Sequence, residues 1–374
     1  MASVPNTNTF KLTDVTAVVG GSSLSVAFAS SVDACFDPTY KGSKNSLLNF
    51  RNYDTTRGAP VNTLFNAPNG VTSTKIIIET NWTSAKTITA RGFWYNTTGF
   101  TLTGMQVVQT AATGFVSANV TGLTPNQSYY FTAYCTNADG TTTLSFGSTI
   151  STMPSSSTFT SYNGSWTVPA RCISVTIECW GGGGTGGAAQ GNAGSRAGGG
   201  SGGCYAKAVV AVTPGWVCPV YAPAANPGNA STGADGSASY VLNPSLTTLC
   251  QAMGGKTGVV ASGTSSTGGV ASTTGCVGST IYAGGNGGAG TVGGASGGGG
   301  GGAGSTGAGN AGSAGTPGAA KSNNGGAGGA GVTTNAAVNA GASYGGGGSG
   351  GLATGTTDTA GGNGGAGYVM LSFP

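Results

Sequence analysis

The chain has 374 residues, room for two or three domains, and only 6% of them are charged, against roughly 25% in an average soluble domain. Its net charge of +4 comes from scattered Lys and Arg without a basic stripe, which speaks against nucleic acid as a partner. No apolar run approaches the roughly 20 residues of a membrane span, and the absence of His excludes Ser-His-Asp and Cys-His nucleophile systems.

Residues 1–54 read as a first unit. The opening MASVPNTNTF has neither a positive n-region nor an apolar h-region, so no secretory signal is expected. Phe10, Leu12 and the run Val15 to Val19 fit a short strand or helix, and Gly20-Gly21 turns the chain. Leu24, Val26 and Phe28 alternate as on a half-buried strand. The motifs NTNTF (6–10), FDPTY (36–40) and GSKNSLLNFRNY (42–53) give this segment its character. It resembles the leader of virion proteins from phages and prophages of Bacteroidota. In those proteins the leader precedes variable C-terminal modules, which implies a unit that anchors to other virion proteins. A small cap packed on the next domain is the structural alternative.

Residues 55–153 read as an all-β sandwich. Strand candidates are 75–80, 86–95, 115–121, 128–136 and 142–152, with turn residues between them. The segment GLTPNQSYY (122–130) resembles the fibronectin type III family, in which a Leu, a Pro two residues on and a Tyr six residues on form a tyrosine corner. Leu123, Pro125 and Tyr129 fit that spacing. YCTNADG (134–140) is similar to the strand and turn that follow, and Trp82 is the candidate core aromatic. Such modules are usually spacers, so the resemblance implies a fold more than an activity.

Residues 154–374 hold most of the glycine: 62 of the 75 Gly lie in 181–374, with six charged residues, Arg196, Lys207, Asp235, Lys256, Lys321 and Asp358. Apolar strands at 173–177 and 368–373 bracket the tract. Glycine-rich sequence is commonly a flexible linker, but disordered segments carry high net charge and lack apolar anchors. Here Tyr205, Val212, Trp216, Tyr240 and Ile281 recur as anchors. Runs such as 181–184, 297–302 and 345–348 have no side chains to pack, which predicts extended polyproline-II-like segments hydrogen-bonded side by side, with little helix or ladder. The irregular spacing rules out collagen. WTVPA (166–170), VTIECWGGGG (175–184), PGW (214–216) and GAGYVM (365–370) together resemble the glycine-rich C-terminal domain of phage tail-fibre and adhesin proteins. That resemblance implies a sandwich of polyglycine helices with receptor-binding loops at its distal end. The Ser/Thr-rich stretch 257–280 departs from the compact members and reads as an insert.

Little here suggests catalysis. The eight Cys show no C-x-x-C pair, so they read mainly as small buried hydrophobes rather than zinc ligands or a disulfide framework. Of the nine acids, Asp235 and Asp358 could be brought together to flank a glycosidic bond, but nothing in the sequence says so, and a lone Asp in a Gly-rich turn serves more often as an Asx-turn residue. MGGKT (253–257) lacks the first Gly of a phosphate loop, since Cys250 stands there. The expectation is therefore a non-enzymatic phage fibre or spike at the virion surface, a homotrimer without cofactor or metal. Its N-terminal unit would bind other virion proteins and its glycine-rich unit a host glycan or protein. A capsid vertex or decoration protein without a receptor is the alternative, and a depolymerase a third. Receptor contact through sugar stacking predicts exposed aromatics on the distal loops. Tyr282 and Tyr344 are the candidates, with core packing the alternative fate of each.

Overall fold

The computed structural model describes residues 3–373, apart from 8, 32–34, 55–58, 69–70, 101–103, 139, 146, 230 and 335–337. Asn8 of the leader motif, Asp33 among the acids and Asp139 of the turn after Tyr134 lie outside the described residues. The chain divides into two compact units, Met1–Met153 and Pro154–Pro374.

The first unit opens with two short helices, α1 (Leu12–Val19) and α2 (Leu24–Ser30), and a 3-10 turn at Leu47–Phe50. Of the two readings of 15–19, the helix is the one formed. The strand expected at Leu24, Val26 and Phe28 is instead α2. Ser23 caps it, its Oγ accepting from the Val26 N–H at 3.4 Å. Leu24, Ala27 and Phe28 then share one face at helical spacing and pack into a cluster with Val15, Phe36, Phe50 and Tyr53, while Val26 is 42% exposed. Alternation over five residues could not distinguish the two periods; the cap decides it.

The sandwich follows. One sheet has the order β1-β2-β5, formed by β1 (Val61–Asn66), β2 (Lys75–Thr83) and β5 (Gly114–Thr121). The other runs β4-β3-β6-β7, formed by β4 (Met105–Gln109), β3 (Ile88–Asn96), β6 (Ser128–Asn137) and β7 (Thr142–Leu144), with β8 (Ser148–Ser151) also pairing with β6. The expected strand at 142–152 is thus split into β7 and β8. Strands β1 and β4 escape the sequence reading because most of their residues are exposed or half-exposed, leaving no apolar alternation to detect. Along β2 the pattern is clear: Ile76, Ile78, Thr80 and Trp82 turn inward.

The second unit is two antiparallel sheets that continue into a glycine bundle. A five-stranded sheet has the order β18-β13-β11-β19-β9, built from β9 (Ser156–Thr160), β11 (Ser174–Trp180), β13 (Tyr205–Ala211), β18 (Thr280–Tyr282) and β19 (Tyr368–Ser372). A four-stranded sheet runs β10-β14-β15-β16, from β10 (Tyr162–Thr167), β14 (Val217–Ala222), β15 (Ser239–Leu242) and β16 (Thr248–Ala252). Val175, Ile177, Cys179, Val220, Val241 and Cys250 are sealed in this part of the unit. A two-residue parallel pair, β12 (Ala189–Gln190) with β17 (Ala261–Ser262), lies within the bundle.

The bundle follows a period of three. The N–H groups of Gly181, Gly184 and Gly187 donate to the carbonyls of Cys204, Ser201 and Gly198; those of Gly182 and Thr185 donate to Ser237 and Ala234; those of Gly183, Gly186 and Ala189 donate to Gly365, Gly362 and Thr359. Each segment therefore presents three faces, one per residue of a three-residue turn, as a polyproline-II-like helix must. Four inner segments, 181–189, 195–206, 296–304 and 345–353, are buried without a break. Segment 197–204 shows why. It donates to 253–259, 285–288 and 345–351, and it accepts from 181–187, 297–303 and Gly269. Surrounded in this way, its glycines have no room for a Cβ: one added to Gly203 would lie 2.1 Å from the Gly181 oxygen. The stretch 257–280, expected to be an insert, is partly bundle. Gly255, Gly258 and Ala261 are buried while Lys256, Val259 and Ser262 are exposed, a repeat of three that lays this outer segment along 182–188.

Candidate functional site

The glycine-rich unit has two unlike ends. The chain enters it at Ser156, which pairs with Ser372, while Thr160 at the other end of the same strand pairs with Tyr368. Tyr368 and Trp180 stand where the sheet gives way to glycine segments, so the chain enters at the end remote from the bundle. At the bundle's far end described segments reverse in turns at 191–195, 263–264, 292–294 and 354–358. Glycine fixes several of these reversals: Gly194, Gly263 and Gly293 have φ of 101°, 70° and 72°.

Arg196 fastens these turns to one another. It is buried at the start of segment 197–204. Its Nε donates to the Gly294 carbonyl at 2.8 Å, and one terminal nitrogen donates to those of Ser195 and Ala353 at 3.1 and 3.3 Å. Its backbone N–H donates to Thr264 and its carbonyl accepts from Ser266. One residue thus reaches four of the turns. Asp358 adds a link by accepting the Gly191 N–H on Oδ1 at 2.6 Å, and Ser195 Oγ accepts the Gly263 N–H at 2.8 Å. The result is a platform whose exposed side chains are mostly Asn and Thr, with Asp358 and the aliphatic Val292, which is 70% exposed. The sequence marked Arg196 only as one of six charges in the tract; nothing local to it announced three carbonyl partners up to 157 positions away.

The aromatic candidates lie elsewhere. Tyr282 pairs across the ladder with Tyr205 and stacks on it at 6.1 Å. Tyr344 packs against Trp180 at 5.4 Å and Tyr368 at 4.4 Å. Both belong to the cluster around buried Trp180 and Tyr205 where sheet meets bundle. Burial, with the neighbouring Tyr368 hydroxyl, pushes the Tyr344 phenol up to about 12. Burial also raises Tyr205, whose hydroxyl donates to a Glu178 carboxylate oxygen. None of the turns 191–195, 263–264, 292–294 or 354–358 contains Phe, Tyr or Trp.

Two further charges of the tract pair with each other. Asp235 pairs with Lys256 at 2.8 Å and accepts the Thr257 N–H, on the flank of the bundle beside a cleft of about 410 Å³ lined by Met253, Gly254, Ser272 and Thr274. Asp235 and Asp358, the two tract acids, are thus held by different partners. In the sandwich, Tyr129 is buried and its hydroxyl accepts the Thr124 N–H at 2.8 Å, with Leu123 buried beside it and Pro125 half-buried.

Paired sheets running on into a bundle of three-fold glycine helices define a glycine-rich module. Residues 156–374 match the glycine-rich domain family, and the chain belongs to that family. No curated protein matches it. Among the described residues no helix is long and apolar enough to cross a membrane.

Proposed function

We propose that this chain is a phage virion fibre or spike protein whose glycine-rich unit attaches the particle to the host surface. The observation that carries this reading is the polarity of that unit: the chain enters at Ser156, and four polar turns tied through Arg196 and Asp358 stand at the opposite end. A rigid frame with variable-length turns at its free end suits recognition, because turns can change without disturbing a core made of backbone. The exposed Asn and Thr side chains offer donors and acceptors to the hydroxyls of a glycan or to the backbone of a surface protein, without ring stacking. Each contact is weak, so attachment depends on several copies, which favours a symmetric homo-oligomer, a trimer. Residues 1–54 anchor to other virion proteins. The sandwich acts as a spacer of fibronectin type III character, a reading supported by its sheet orders and by the Tyr129 hydroxyl bond to Thr124. The receptor is bound and not consumed. Particles whose copies lack residues 156–374 test this: adsorption to host cells should collapse while assembly proceeds. Normal adsorption would instead favour a purely structural virion component, and release of sugar fragments by the intact chain would indicate a depolymerase.

A further inference from the structure

Four of the chain's eight cysteines meet as two thiol pairs in the glycine-rich unit. The pairs differ in access. Cys179 and Cys250 touch across the interior, each completely buried, with Cys179 Sγ against the Cys250 carbonyl at 3.9 Å. Cys204 and Cys276 also share a hydrogen bond between thiols, but Cys276 is half-exposed on the turn after Gly275. Met253 joins the two: its carbonyl accepts the Cys204 N–H at 2.9 Å and its N–H donates to Cys276 Sγ at 3.3 Å. Cys204 Sγ also lies 3.0 Å from the Ser272 carbonyl oxygen. Met253 and Ser272 both line the flank cleft, so a small molecule in it lies against the residues that hold the two sulfurs.

We propose that Cys204 and Cys276 form an oxidisable dithiol that a low-molecular-weight disulfide, such as oxidised glutathione, converts to a disulfide linking the 273–276 turn to the end of inner segment 197–204. The Cys276 thiolate attacks one sulfur of the small disulfide, forming a mixed disulfide and displacing one small thiolate. That thiolate takes the Cys204 proton. Cys204 sulfur then attacks Cys276 Sγ and releases the second small thiolate. Two protein thiols are oxidised by two electrons and one small disulfide is reduced to two thiols. The environment favours this order of attack. The hydrogen bond from Cys204 lowers the Cys276 thiol to about 7 against the effect of burial, with the Met253 N–H helping, while the same contact and burial push Cys204 up. Cys276 is the attacking sulfur and Cys204 the resolving one. Cys179 and Cys250, also in contact but sealed, stay reduced.

The test uses the intact chain, reduced and then exposed to oxidised glutathione, quenched with acid and mapped by mass spectrometry without reduction. The expected product is a cross-linked peptide joining Cys204 and Cys276, lighter by two hydrogens, with Cys179 and Cys250 still alkylatable after denaturation. Cys204→Ser should trap glutathione on Cys276, with a mixed disulfide lasting about tenfold longer or more than in the wild type, because the resolving thiol is gone. A chain in which Cys276 stays unmodified, in which Cys179–Cys250 links first, or in which Cys204→Ser leaves the mixed disulfide no longer-lived would overturn the proposal. The wild-type mapping stands on its own if the variant folds poorly.

Discussion

Gly299→Ala should unfold the glycine-rich unit at a far lower temperature, whereas Gly355→Ala should not. An ideal Cβ at Gly299 lies 1.9 Å from the Gly347 oxygen and 2.5 Å from its carbon, where ordinary contact begins at 3.4 Å, so about 1.5 Å (3.4 − 1.9) must be found between two inner segments. Those segments are joined by Gly347 N–H to the Gly300 carbonyl and Gly350 N–H to the Gly297 carbonyl, each at 2.8 Å. Moving them apart leaves two buried donors unpaired, at about 1–3 kcal/mol each, and adds overpacking of about 1–3 kcal/mol. A total on the order of 5 kcal/mol corresponds to a fall of roughly 10–20 °C for a unit of this size. Around Gly355 nothing lies within 4 Å and no positive φ is required, so Ala there should stabilise by about 0.4–1 kcal/mol through the unfolded chain. Thermal unfolding followed by near-ultraviolet circular dichroism, which reports the Trp180 cluster, separates the two. If Gly299→Ala melted within about 2 °C of the wild type, the close approach of bare backbones would be wrong.

Arg196→Met removes three bonds to carbonyls but also the cost of burying a charge. A net loss of about 2–4 kcal/mol is expected, visible as faster hydrogen exchange at 263–266 and 352–358; unchanged exchange there would contradict its role as the fastener. Tyr129→Phe leaves the Thr124 N–H without its acceptor and should cost the sandwich about 1–2 kcal/mol in a denaturant titration, with the glycine-rich unit unaffected. Tyr344→Ala should lower stability through lost packing on Trp180 and Tyr368 while host binding at a temperature well below melting is retained. Alkali should weaken the same cluster. Tyr344 is held neutral up to about 12 in the folded state, so its contribution is complete below its unfolded value near 10 and disappears as pH rises from there through about 12. Melting midpoints measured from pH 9 to 12 should fall over that window, less steeply in Tyr344→Phe.

The parts of this fold legible in sequence are those in which side chains do the packing. Ile76, Ile78 and Trp82 announce β2, and the Leu123-to-Tyr129 spacing announces a buried corner that the structure forms. In the bundle the information is thinner. The repeat of small residues at Gly255, Gly258 and Ala261 was a readable period of three, yet the Ser and Thr around it suggested an insert. Which segment lies beside which was not readable at all, because glycine faces differ only in position and any N–H can meet any carbonyl. Arg196 shows the same difficulty: its partners are main-chain oxygens, which carry no sequence signal. Leu24 to Phe28 was misread because five residues with apolar positions at spacings of two and four satisfy either period, and the deciding signal was Ser23 just outside them.

Attachment through the far end of the glycine-rich unit is tested most directly by a cell-binding measurement with the intact chain displayed in many copies on beads. One set carries the wild-type turns and the other carries 354–357 and 292–294 replaced by Gly-Ser sequence of equal length, with Asp358, Arg196 and the inner segments untouched. The account predicts that wild-type beads bind host cells and block phage adsorption, while the altered beads melt at the same temperature but neither bind nor compete. Equal binding by both sets would place the contact elsewhere on the chain and contradict it.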